Sequence, residues 1–179
     1  MLNETQIKKL NDKFKSLSKA EQRVLIARDV IAQVNKKKYK PSTGAYLTLV
    51  NNFYNHWSVQ EHIDEIECRC CALGACLLST TKFKNKLNFG DVDSLCSKSD
   101  SWKLLRGVFS HSQINMIEYA FEASHNGSRV GEDYFNDYAK FNYNKRAKCI
   151  SFGRSFVYES DRIVAIMENI IKNKGTFKL

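Results

Sequence analysis

The chain has 179 residues, 43% of them apolar and 26% charged, with a single proline; this balance excludes a disordered or linker-rich chain and predicts one folded domain. The formal net charge is +9, and +7 of it falls in residues 1–40, where eleven lysines and arginines stand against four acidic residues. No run approaches the ~18 apolar residues that span a bilayer, and the lysine-rich start has no apolar signal core, so the expected location is cytoplasmic, with no membrane partner.

In chain order, residues 1–17 read as a basic N-terminal arm or a short helix over 4–16 built on Ile7, Leu10 and Phe14, and 18–179 as a single helical domain. Ser18 and Glu21 have the spacing of a capping box, and Leu17, Ala20, Val24, Ala27, Ile31 and Val34 recur in steps of three and four, which predicts a helix over 18–36. Turn residues Pro41 to Gly44 followed by Tyr46 to Val50 predict a small hairpin or an extended segment over 39–50. Ser58 and Glu61 repeat the capping pattern. Val59, Ile63, Ile66, Cys70, Leu73 and Leu77 then predict a long helix from 59 to 78, apolar nearly all round after Glu67, with Gly74 leaving room for another backbone.

The stretch 85–100 reads as loop with at most one helical turn. Ser110 caps a helix bearing Ile114, Ile117 and Phe121, ending near Ser124, and a last helix starts at Ser160 or Asp161 and stops at a left-handed cap on Gly175. The fold class is therefore mainly α: a single compact helical domain of about five or six helices, with minor β structure near 39–50 and 147–158.

Two regions are candidate binding surfaces. The first is the N-terminal basic block, with Lys8, Lys9, Lys13, Lys15, Lys19, Arg23, Lys36, Lys37, Lys38 and Lys40, whose concentrated positive field suits phosphates or an acidic protein groove. Arginine is scarce there, which argues against sequence-specific base reading; the bland reading is a solvated helix face. The second is the aromatic and basic segment 134–158, where Tyr138, Tyr143, Lys145, Arg146 and Arg154 are the surface candidates and Phe135, Phe152 and Phe156 the core ones. Such mixtures hold single-stranded nucleic acid or a protein partner.

Chemistry is less well supported. Six cysteines include Cys68, Cys70, Cys71 and Cys76 within nine residues of the predicted long helix, a spacing unsuited to disulfides, so reduced and mostly buried thiols are expected. A zinc site on Cys68 and Cys71 with His62 lacks a second ligand pair, and a Cys/His nucleophile drawn from His56, His62, His111 or His125 lacks an electropositive niche. Gly-rich phosphate loops and the G-x-S-x-G and H-E-x-x-H motifs are missing. The expectation is a binding protein with no catalytic residue, cofactor or metal.

Cys71-Ala72-Leu73-Gly74-Ala75 and the run from Ile166 to Phe177 resemble a group of short, mostly uncharacterised proteins of phages and prophages, over about Ala20 to the C-terminus. The resemblance implies a small protein that binds one host target. By analogy it points to an anti-defence, anti-CRISPR protein acting without catalysis on an RNA-guided effector, of the RNA-targeting type VI class before a DNA-targeting one, through the effector or its guide-RNA complex. The alternative is a nucleic-acid-binding module acting directly on RNA or single-stranded DNA.

Overall fold

Ser18 accepts a hydrogen bond from the Glu21 amide at 3.3 Å while Glu21 accepts one from the Ser18 amide at 2.8 Å, and this reciprocal cap starts helix α2 (Lys19–Asn35). The computed structural model describes residues 1–84, 87–92, 99–123 and 143–179. Among them are seven α-helices and a three-stranded sheet, so the protein is mainly helical. Helix α1 (Glu4–Ser16) begins at its own capping box on Asn3 and Gln6 and docks by stacking Phe14 on Phe83, ring centroids 5.6 Å apart.

The segment 59–78 departs from its sequence expectation. No α-helix starts at Ser58; Ser58 bridges to Asn88, and the Val59 amide donates to the Leu87 carbonyl. The segment splits into a 3-10 turn (Ile63–Glu65), strand β3 (Cys68–Cys70) and helix α3 (Ala72–Phe83). All six periodic residues, Val59 to Leu77, are buried, but they are spread over irregular chain, a 3-10 turn, a strand and a helix rather than along one helix face. Sheet pairing decides the outcome. Strands β1 (Tyr39–Pro41) and β2 (Leu47–Leu49) do not form the expected hairpin; β3 lies between them, parallel to β1 and antiparallel to β2. The pleat turns Cys68 and Cys70 inward and Arg69 outward, beside Lys40 and Thr48.

Helix α3 runs through the middle of the domain, where all but Lys82 of its side chains are buried, and it touches α1, α2, β3, α4 (Asp100–Arg106) and α5 (His111–Phe121). Gly74 permits the close approach expected of it: a Cβ there would strike the Tyr46 carbonyl, the group that accepts from the Cys71 amide at 3.1 Å. Phe89–Asp91 supplies the helical turn expected in the 85–100 loop, whereas α4 was not foreseen; Ser99 caps it and Trp102, Leu104 and Leu105 bury its inner side.

The β structure expected near 147–158 is helix α6 (Tyr143–Arg154), laid against α5 with Cys149 and Gly153 at the contact. Helix α7 (Glu159–Lys172) packs Ile163, Ile166, Met167 and Ile170 against the core and lies along α2. Its end is the left-handed cap expected there, with Lys174 at φ 51° and Gly175 at φ 90°, the Gly175 amide donating to Ile170 at 2.8 Å. Among the described residues no helix is long and apolar enough to cross a membrane.

Candidate binding surface

Helix α2 is apolar over more of its circumference than the core uses. Its fully buried side holds Ile26, Ala27, Val30 and Val34; the stripe expected from the sequence is offset from this, and Leu17, Ala20 and Val24 lie only half-buried on another side together with Leu25. Leu17, Ala20, Val24, Leu25 and Ile171 of α7 make the floor of a groove of about 520 Å³. Lys13 from α1, Arg28 from α2 and Lys174 beyond α7 stand at its rim, with Glu21 the lone acid. The hydrogen bonds from Ser18 amide and hydroxyl, 2.8 and 2.7 Å, hold the Glu21 carboxyl below its ordinary range and commit it to the α2 cap. Among the described residues Lys9, Lys13, Arg28 and Lys174 enter no ion pair.

The cations singled out in the sequence do not form one patch. Helix α1 turns Ile7, Leu10 and Phe14 toward the core, which sets Lys8 and Lys15 on one flank and Lys9 and Lys13 on the other. Lys8 and Lys15 share a shallow recess of about 430 Å³ with Glu4, Asp12 and Glu61, so three carboxylates offset two ammonium groups. Lys19 is exposed, with its ammonium 3.3 Å from the Gln22 carbonyl oxygen. Lys36 and Lys37 are exposed at the far end of α2, about 25 Å along a 17-residue helix. Lys38 donates to the Asp64 carbonyl, and Lys40 pairs with Glu67 at 3.5 Å.

Arg23 has a structural place. Half-buried, it donates to the Gly175 carbonyl and, at 2.8 Å, to that of Val108, joining α2 to the C-terminal turn and the α4–α5 loop. Desolvation there lowers its pKa from the ordinary arginine value.

In the second region Tyr143 is 82% exposed and Lys145 exposed, while Arg146 lies 4.9 Å over the Tyr119 ring and Arg154 donates to the Ala123 carbonyl at 3.1 Å. These two arginines fasten α6 to α5. Phe152 and Phe156 are half-buried rather than core; Tyr138 and Phe135, with His125 and Cys96, lie outside the described residues.

The four clustered cysteines are all buried, on β3, at the α3 N-cap and inside α3, so Cys68 and Cys71 share no helix face. Burial, reinforced by Glu122 and Glu118, pushes the Cys71 thiol up to about 12, and burial alone pushes Cys149 to about 11. Cys70 is raised by the hydrogen bond with Cys68 and by burial, and Cys76 by burial. Thiols in this state are poor nucleophiles. Among the described residues no three His, Cys, Asp or Glu side chains come together as a metal site. His62 stacks on Trp57 at 4.7 Å and meets Glu65 at 3.2 Å; His111 stands edge-on to Trp102.

The sequence reading missed Arg28, Leu25, Ile171 and Lys174 as site residues. Leu25 carried a signal, since it breaks the three-four spacing of its helix; Ile171 and Lys174 carried none, because only the α2–α7 packing brings them alongside. No family model, curated protein or solved structure matches the chain.

Proposed function

We propose that this protein acts by binding rather than catalysis, presenting the cationic rim of the α1–α2–α7 groove, with neighbouring Lys9 and Lys19, to an acidic surface of a host target. The observation that carries this reading is the absence of ion pairs at Lys9, Lys13, Arg28 and Lys174 among the described residues, beside a floor of five apolar side chains. An uncompensated positive rim draws an anionic partner in, and apolar contact then retains it. The resemblance to short phage proteins supplies the context: an anti-defence inhibitor working in the bacterial cytoplasm on an RNA-guided effector of the type VI class.

The test adds the purified chain to such an effector, loaded with guide RNA, and follows target-triggered RNA cleavage. Loss of cleavage at stoichiometric inhibitor, with binding that weakens between about 50 and 200 mM salt, supports the proposal. Unimpaired cleavage overturns it, as does equally tight, salt-sensitive binding to single-stranded RNA alone, which would make the protein a nucleic-acid-binding module.

A further inference from the structure

We infer that the α1–α2–α7 groove receives an acidic amphipathic helix of a partner protein, apolar side down on Leu17, Val24 and Leu25, carboxylates toward Lys13, Arg28 and Lys174. This deepens, and rests on, the reading of the protein as a binding module.

Three features of the groove select that occupant. Its floor is aliphatic and, among the described residues, no aromatic side chain lines it, so these offer no platform on which nucleic-acid bases could stack. Its rim carries three cations and one carboxylate already committed to the α2 cap, so the charge it complements is negative. From Ala20 to Arg28 it follows α2 for about 12 Å, roughly two helical turns, the length over which an i, i+3, i+4, i+7 row of anchors is read. A strand would need free backbone partners. The groove is walled by helices α1, α2 and α7, which present no open sheet edge for a strand to pair with.

The probe is a fluorescein-labelled peptide of about 15 residues with leucines at i, i+3, i+4 and i+7 and glutamates on the remaining faces. Anisotropy titration of the full chain is expected to show saturable binding that a scrambled peptide of the same composition lacks. Arg28→Glu with Lys174→Glu, and separately Leu25→Asp, each weaken it about tenfold or more, while Lys103→Glu on α4 leaves it unchanged. Amide chemical shifts of the unaltered chain, which need no substitution, are expected to move along Leu17 to Arg28 and at Ile171.

Failure of the peptide to bind, binding indifferent to Leu25→Asp in a folded variant, shift changes centred elsewhere, or displacement by single-stranded RNA would overturn the inference. Effector inhibition that is lost with Arg28→Glu and Lys174→Glu but survives Leu25→Asp sinks this inference and leaves the proposed function standing. Peptide binding without effector inhibition does the reverse.

Discussion

Arg23 lies among lysines in the sequence, and what separates it from them is where its donors go. A planar guanidinium reaches two carbonyls, of Gly175 and Val108, through two separate nitrogens, Nε and Nη1, where a lysine has one. Arg23→Lys is therefore expected to lower stability almost as far as Arg23→Met, each by about 1–3 kcal/mol, through carbonyls left without a charged donor. Urea unfolding checks this: the midpoint falls with the slope unchanged, and full rescue by lysine would show that charge alone matters. The cysteines make a second case in which surroundings outweigh residue type. With Cys71 raised to about 12 and Cys149 to about 11, thiolate at about pH 8 amounts to on the order of one part in 10⁴ and 10³. In a Cys96→Ser variant, native protein is expected to resist a thiol-specific disulfide reagent until denaturant is added. What little reaction occurs through native-state ionisation rises about tenfold per pH unit, because deprotonation precedes attack; pH-independent, rapid native labelling would contradict the burial.

At the level of elements, α5 and α6 meet closely. A Cβ at Gly153 would collide with the Ala120 carbonyl and come within 2.6 Å of the Ala123 Cβ, so the two helices meet backbone to backbone. Gly153→Val is expected to cost about 1–3 kcal/mol and to release α6 first, read as early loss of amide protection over residues 143–154 while α2 and α3 stay protected. Uniform loss across the chain would mean that α6 does not come away separately. Elements of this kind explain which parts of the fold the sequence makes legible. Helices α1, α2, α5 and α7 follow from local signals, a cap and a three-four apolar row, and those signals need no distant partner. The Ser58-to-Glu61 pattern is spelled like the Ser18-to-Glu21 cap but starts no long helix, because Tyr39–Pro41 and Leu47–Leu49 claim Cys68–Cys70 as a strand; a three-residue alternation is too short to announce itself. The β-formers that suggest a strand over 147–158 are Ile150 and Phe152 inside α6 and Phe156, Val157 and Tyr158 beyond it, while Gly153 fits α6 closely on α5. Half of the groove, on α2, was open to reading in the same way. The half supplied by Ile171 and Lys174 depends on how α7 lies beside α2.

Over the whole molecule, a basic N-terminal quarter resolves into separate fields. Lys13, Arg28 and Lys174 ring the groove, Lys8 and Lys15 are offset by carboxylates, and Lys36 and Lys37 stand at the opposite end of α2. Along α2 the nearest rim cation, Arg28, is about 12 Å from Lys36, roughly one and a half Debye lengths at physiological salt, so the two clusters are largely screened from each other. They also act at different stages. Lysines at a solvated corner with no apolar floor beside them attract a partner over distance and are re-solvated cheaply, whereas rim charges at the groove are desolvated against the docked surface. Under the proposed function, reversing Lys36 and Lys37 to glutamate is therefore expected to slow association with the guide-loaded effector about two- to threefold and to flatten its salt dependence, leaving dissociation untouched. Reversing Arg28 and Lys174 accelerates dissociation about tenfold or more. Because the clusters do not share a partner atom, the fourfold variant combines the two effects additively in free energy. Stopped-flow association and dissociation at two salt concentrations separate the rates. If dissociation responds to the corner as strongly as to the groove, the bound surface extends along the full length of α2 and the groove is only part of it.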